Sequence, residues 1–270
     1  MPVGPARMPL LDHLSELRRR LTIIVVSIVV TSVVIYAASP TLIQILIDPI
    51  REFLPKDPAT GEATLYVTTA LGGFTLRFAV SVFFAVIVCS PIIIFEVLGF
   101  FLPALTPKEQ RWVVPTVGAL VFLFAFGMVF CYLFILNATF GWMLAQISDF
   151  ATIFSEAQDY INLIILLELG FGGAFELPLF VFYLSILHVV PYKTFRENWR
   201  YVYVGLLIAS AMVTPDASPV TMFLMFAAVI VLYEISLALA RRVLIARDGK
   251  ASLKWTREQY QEHKLEQDDD

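Results

Sequence analysis

Carboxylates set beside or inside long apolar runs are the residues of this chain best placed to do chemistry. Glu16 and Glu109 stand at the margins of such runs, each in basic company: Arg18, Arg19 and Arg20 near the first, Lys108 and Arg111 near the second. A carboxylate binds a guanidinium through paired, charge-assisted hydrogen bonds, and the planar fork makes arginine the natural partner. Each such bond contributes about 1.5–3 kcal/mol when shielded, and less at a wet interface. Two carboxylates on one surface therefore suit the reception of guanidinium groups. Spacing alone favours local pairs instead, Glu16 with Arg20 at i,i+4 and Glu109 with Lys108 or Arg111.

A second set of acids lies deeper. Glu168 and Glu176 fall inside one apolar run, and Glu96 and Glu234 inside two others. An ionisable group near a bilayer centre costs on the order of 3 kcal/mol on insertion scales, so it faces protein or water. Glu176 is about 24 Å of helix in from Tyr160, too deep to reach the interface. Glu168 lies about 80° around the same helix, so the two are expected to share one intramembrane cavity. Glu234 precedes Arg241 on one helix face, which favours a snorkelling pair.

Other chemistries find no support. The sequence has no Gly-rich phosphate loop and no paired-His metal motif. His13, His188 and His263 are scattered, and none lies within an apolar run where it could activate a serine. Cys89 and Cys131 sit inside apolar runs without disulfide or metal spacing and read as packed small hydrophobes. No catalytic constellation, cofactor, metal or nucleic-acid partner is expected. Any work must draw on a partner or on the membrane potential.

The elements that hold these acids are membrane helices. The chain is 59% hydrophobic and 16% charged, with a mean hydropathy of +0.78, well beyond a soluble domain. Residues 1–20 form an amphipathic helix through Leu10, Leu14, Leu17 and Leu21, lying at the interface and leading into the first span. Leu21–Ala38 is too long for a signal-peptide core and is taken as that span. Residues 40–71 read as short interfacial helices with a loop tip near Gly61. Further spans are expected at Phe74–Leu98, Val113–Thr139, Tyr160–Leu187, Tyr201–Val213 and Val220–Leu239. Pro91 sits near the end of the second, and Pro178 offers the fourth a kink. The fifth is only about 20 Å long, so the bilayer should thin beside it. Residues 21–240 thus make the transmembrane domain, and 241–270 a polar tail, disordered beyond a short helix.

Lys and Arg set the orientation. Residues 1–20, 99–112, 188–200 and 240–270 carry nearly all of them, while Arg51, Lys56 and Arg77 fall to the other side. The expectation is an all-α polytopic protein of six transmembrane helices with both termini cytoplasmic. The same census puts Ser90–Arg111, which carries Glu96, Pro91, Pro103, Pro107 and Glu109, on the cytoplasmic side. No internal repeat of the kind found in rocking-bundle transporters is present.

An ordered set of motifs carries a family resemblance. His13-Leu14-Ser15-Glu16-Leu17-Arg18-Arg19-Arg20-Leu21 before the first span resembles the N-terminal motif of the TatC family, the core subunit of the twin-arginine protein translocase. Ser90-Pro91, Phe100, Pro103-Ala104-Leu105 and Lys108 through Arg111 resemble its first cytoplasmic loop. Phe175-Glu176-Leu177-Pro178 resembles its F-E-x-P motif. Asn198-Trp199-Arg200-Tyr201 with Thr214-Pro215-Asp216 is similar to its short fifth span and following turn, and Tyr233-Glu234-Ile235 to its sixth.

The resemblance implies a concave bundle that binds the signal peptides of folded export substrates, whose paired arginines are read at the cytoplasmic face. By position Glu16 and Glu109 match the family's receptor carboxylates, Phe100 an aromatic of the same site, and Glu176 the buried glutamate of the concave face. Leu14, Arg18 and Pro103 join the signal-peptide-binding set through the same motifs. The implied partners are small single-span proteins of the TatA/TatB type, within a receptor complex containing further copies of this chain, in the cytoplasmic (inner) membrane of a bacterium or archaeon. The implied driving force is proton-motive. Glu96 falls where the family often has Gln, and either joins the binding surface or pairs with Arg111. Glu168 has no acidic counterpart in the family. Two other readings remain: a proton-coupled secondary transporter using Glu168 and Glu176, and an intramembrane enzyme.

Overall fold

The computed structural model describes residues 10–57, 59–101, 113–146, 156–186, 189–214, 218–255 and 259. These residues form helices and no strand; only isolated bridges, Lys56 with Ala63 and Tyr66 with Glu156, break the pattern. Among the described residues, five helical stretches are long and apolar enough to cross a membrane, and a further apolar helix is shorter. That is the arrangement the hydropathy pattern predicts. The chain divides into two compact units, Met1–Leu166 and Leu167–Asp270.

In the first unit, α1 runs unbroken from Leu10 to Tyr36. No Gly or Pro interrupts it. The amphipathic N-terminal segment and the first span therefore share one axis, about 40 Å long. Hydroxyls along α1 bond back to the helix's own carbonyls, Thr22 to Arg18 and Ser32 to Val29, so they add no unsatisfied polar atom in lipid. Next come α2, Ser39–Ile47, with Pro40 in its first turn, and a 3₁₀ turn at Asp48–Phe53. The loop that follows turns at Gly61, whose φ of 72° a side chain would resist; its N–H donates to the Asp57 carbonyl at 2.8 Å.

Helix α3, Gly72–Phe101, contains Pro91 and packs antiparallel along α1. Guanidinium groups tie the pair at both ends. At one end Arg77 donates to Ser39 Oγ at 2.8 Å and to the Tyr36 carbonyl at 3.4 Å, and lies 4.6 Å over the Tyr36 ring. The Ser39 hydroxyl donates to the same carbonyl at 2.8 Å, so Ser39 and Arg77 together satisfy a group that the last turn of α1 leaves open. At the other end Arg20 bridges α1 to Glu96 of α3. From Arg20 to Tyr36 is about 24 Å of helix, and from Arg77 to Glu96 about 28 Å. Both approach the roughly 30 Å thickness of a hydrocarbon layer, so the two arginines stand nearly a membrane's thickness apart. Between them, Cys89 Sγ lies 3.3 Å from Thr31 Oγ1. Cys89 and Cys131 are both buried, and neither is in a disulfide.

The third span is built of α4, Val113–Phe130, a π turn at Cys131–Ile135, and α5, Leu136–Ala145. It exceeds the membrane thickness, as its sequence length requires, and the π turn interrupts its regular ladder. Tyr132 donates to the Ile45 carbonyl at 2.8 Å, and Asn137 to Glu52 at 2.9 Å, fastening this span to the segment after α1.

The fourth span is split. α6, Ala157–Ala174, ends where Phe175 and Glu176 form a turn, and α7 runs over Leu177–Ile186. Pro178 has no N–H for the Ala174 carbonyl, and the Gly172-Gly173 pair upstream weakens the helix further. The Glu176 N–H bonds three residues back, to Gly173 at 3.1 Å. Most of this span belongs to the second unit, with α8, Tyr192–Glu197, α9, Trp199–Val213, and α10, Pro219–Asp248. Gly170 lets α6 approach the end of α9 closely, since a Cβ there would sit 2.9 Å from Val213 Cγ1. α9 has 15 residues, about 22 Å. α10 starts at the Ser218 cap and ends at Gly249, φ 81°. Helix thus continues past residue 240, followed by a 3₁₀ turn at Lys250–Lys254. The disorder expected of the far tail concerns residues outside those described.

Candidate functional site

Arg20 stands at the centre of the site. It projects from α1 toward α3 and is held by two carboxylates. Its Nη2 and Nε donate to Glu16 Oε1 at 2.7 and 3.0 Å, one helical turn back. Its Nη1 donates to Glu96 Oε2 at 2.9 Å, from 76 positions away in sequence. The side chains are only 21%, 23% and 13% exposed for Arg20, Glu16 and Glu96, so water screens the cluster partially. Two negative charges surround one positive charge, which leaves an excess of one. Each carboxylate engages Arg20 through a single oxygen. The other oxygens, Glu16 Oε2 and Glu96 Oε1, accept no hydrogen bond among the described residues. The arrangement can receive another cation with hydrogen-bond donors.

The backbone of α3 makes room for it. A Cβ at Gly99 would collide with the Arg20 guanidinium. Because that guanidinium is the free end of a flexible side chain, Gly99→Ala is expected to dislodge Arg20 from Glu96 while the helices stay packed. The expected result is a melting midpoint within a few degrees of wild type, with a double-mutant cycle between Arg20→Gln and Glu96→Gln collapsing to near zero in the Gly99→Ala background. A cycle unchanged by Gly99→Ala would show that Arg20 needs no such gap.

Local spacing correctly pairs Glu16 with Arg20. Nothing local announces that Arg20 also holds Glu96; the pair exists because α1 and α3 run antiparallel and end at one level. The alternative Arg111 partner lies outside the described residues, as do Glu109 and Pro103. Phe100 is half-buried, one turn beyond Glu96 on α3. Leu14 and Arg18 lie elsewhere. Arg18 is about 160° around α1 from Glu16, and with Leu14, Leu17 and Leu21 it lines a groove of about 400 Å³ on another face of the helix. The structure thus brings Glu16, Glu96, Arg20 and Phe100 to one end of the α1–α3 pair and separates Leu14 and Arg18 from them.

The deep acids differ from each other. Glu168 is 3% exposed, and its buried Oε1 has no hydrogen-bond partner among the described residues. Glu176 is half-buried within the break between α6 and α7. The angle of about 80° that suggested a shared cavity assumes an unbroken helix, and Glu176 lies in the break. Glu234 also departs from its expected partner. It accepts from Arg196 Nη1 at 2.9 and 3.1 Å and from the Tyr203 hydroxyl at 2.8 Å, so α8 and α9 supply what Arg241 was expected to. Burial would lower the Arg196 pKa, but the Glu234 carboxylate outweighs it and the net shift is upward. No group of acids, cysteines and histidines among the described residues could hold a metal ion.

Residues 12–227 match the family model described as Sec-independent protein translocase protein (TatC). The chain is 31% identical to the Sec-independent protein translocase protein TatC of Deinococcus radiodurans, over 89% of this chain and 88% of that one. It is 33% identical to the protein of the same description from Frankia casuarinae, over 93% and 71%. Its fold matches the crystal structure of the twin-arginine translocase receptor TatC with a TM-score of 0.69 and 26% identity, covering 85% of this chain and 98% of that chain.

Proposed function

Because the chain belongs to the TatC family of Sec-independent protein translocases, we propose that the carboxylate pair around Arg20 is part of the surface on which it reads twin-arginine signal peptides. The observation that carries this reading is the excess negative charge at Glu16, Arg20 and Glu96, half-shielded at the end of an apolar helix pair. A substrate guanidinium can take the open oxygens of Glu16 and Glu96, and Phe100 offers an aromatic edge one turn away. By their positions in the family motif, Glu109 and Pro103 belong to the same receptor surface; both lie outside the described residues. Glu96 therefore joins the receptor surface rather than standing outside it. Leu14 and Arg18, on another face of α1, contact the peptide's apolar stretch or a single-span partner of the TatA/TatB type instead of its arginines.

In this reading both termini and the acidic cluster face the cytoplasm of a bacterial or archaeal cell, and the chain works as a receptor and scaffold in a complex with further copies of itself. α9, about 22 Å long, thins the bilayer beside it and eases the passage of folded cargo driven by the proton-motive force. The comparisons give the secondary-transporter reading no support.

The test is photocrosslinking from positions 96, 100 and 109 to a signal peptide carrying paired arginines. Crosslinks are expected at all three positions, with a loss of at least tenfold when both peptide arginines become lysines, because lysine cannot present the bidentate fork. Equal crosslinking by the lysine peptide would overturn the guanidinium reading.

A further inference from the structure

A second charged site lies within the unit Leu167–Asp270, whereas Glu16 and Glu96 belong to the unit Met1–Leu166. α8 and α10 enclose a cavity of about 310 Å³ lined by Tyr192, Arg196, Glu234, Leu237, Arg241 and Arg242, at the small end of ligand-sized pockets. Three guanidinium groups face one carboxylate there. Glu234 is already engaged by Arg196 and Tyr203. Arg241 and Arg242 are exposed and have no hydrogen-bond or ion-pair partner among the described residues. The cavity thus carries an excess of two positive charges over an apolar floor, with Leu237 only 1% exposed.

Its place along α10 decides what it suits. The apolar run of that helix ends at Ala240, and the arginines follow at once, so they stand at the level of lipid headgroups. Below them, Ile235 and Leu239 are 50% and 48% exposed, a helix face that acyl chains would cover. We infer that this cavity binds the phosphate headgroup of an anionic phospholipid, with Arg241 and Arg242 on the phosphate, Tyr192 at the rim and the acyl chains along the Ile235–Leu239 face of α10. Basic pockets at the ends of membrane helices hold such headgroups, and a lipid adds to the charge pairing an apolar contact that a free anion lacks. The Arg196–Glu234 pair acts as a wall that holds α8 against α10.

Native mass spectrometry of the full chain in detergent tests this, with phosphatidylglycerol, phosphatidylcholine and inorganic phosphate as separate probes. Wild type is expected to retain phosphatidylglycerol at least tenfold more tightly than phosphatidylcholine. Arg241→Gln with Arg242→Gln should weaken phosphatidylglycerol binding about tenfold, and the single Arg242→Gln about threefold, a milder variant should the double one fold poorly. Arg200→Gln, on an arginine that lies 5.5 Å from the Trp199 ring and does not line the cavity, should leave it unchanged. Equal retention by wild type and both variants would overturn the inference. So would displacement of the lipid by millimolar phosphate, which would make this a site for free anions. Much tighter lipid binding after removal of Glu266–Asp270 would assign the pocket to the chain's own acidic end.

Discussion

Changing both Glu16 and Glu96 to Gln is expected to weaken binding of a paired-arginine peptide by about 100-fold, and either change alone by about tenfold. The estimate follows the charge of the cluster. With both carboxylates around Arg20 the local sum is −1; with one it is zero, and with none it is +1. Unit charges a few ångströms apart interact by roughly 1–4 kcal/mol between bulk-water and near-surface dielectric, and about 1.4 kcal/mol per step is a factor of ten. The final variant repels the incoming guanidinium instead of attracting it. Isothermal titration calorimetry with a synthetic signal peptide at low and physiological salt reads both effects, because screening should shrink the double-variant loss.

A charge-restoring control separates electrostatics from shape. Glu16→Gln with Arg20→Gln returns the cluster to −1 through Glu96 alone. Affinity is expected within about fivefold of wild type. If that pair of changes binds as poorly as Glu16→Gln with Glu96→Gln, Arg20 is a clamp for α1 and α3 and the charge argument fails. Stability needs its own readout, since an Arg20 stripped of both partners loses about 1–3 kcal/mol of charge-assisted hydrogen bonding. A melting curve for each variant in the same detergent supplies it.

The spans were legible because lipid imposes one rule everywhere: about twenty apolar residues whose backbone groups are satisfied internally. The short fifth helix, the loop tip at Gly61 and the weak point near Pro178 follow from composition and backbone sterics alone. Helix ends were less legible. α10 runs to Asp248 although the apolar pattern stops at Ala240, because Ala, Leu, Ile and Arg continue a helix as readily in water as in lipid. The site divides in the same way. Glu16 with Arg20 is an i,i+4 pair and could be read directly. Glu96 with Arg20, and Glu234 with Arg196, join residues far apart in sequence, and only helix packing brings them together. The sequence therefore assigned Glu234 to Arg241 on its own helix, when a neighbouring helix holds a guanidinium closer. The family resemblance marked Glu16, Phe100 and Glu176, and it singled out Glu96 as a departure from the family pattern without naming Arg20 as its partner.

Glu168→Met is expected to stabilise the protein by about 1–3 kcal/mol, the cost of a buried polar atom left without a partner. Glu168 is 3% exposed, and its Oε1 makes no hydrogen bond to the described residues. Met is unbranched and of similar length, so it should fill the space without overpacking. Thermal melting in detergent should show a midpoint raised by about 2–8 °C. Glu176→Met is the matched comparison. Glu176 is half-buried in a helix break, so its replacement should change the midpoint little. A carboxyl that costs stability inside a span persists where it does something. Substrate export into inverted vesicles under an imposed proton gradient is therefore expected to fall at least tenfold with Glu168→Met, and Glu168→Gln should restore part of it if polarity is what matters. A Glu168→Met protein less stable than wild type would mean that the carboxyl is satisfied after all, by another chain in the assembled complex. One that is more stable and fully active would leave Glu168 with no role beyond its cost.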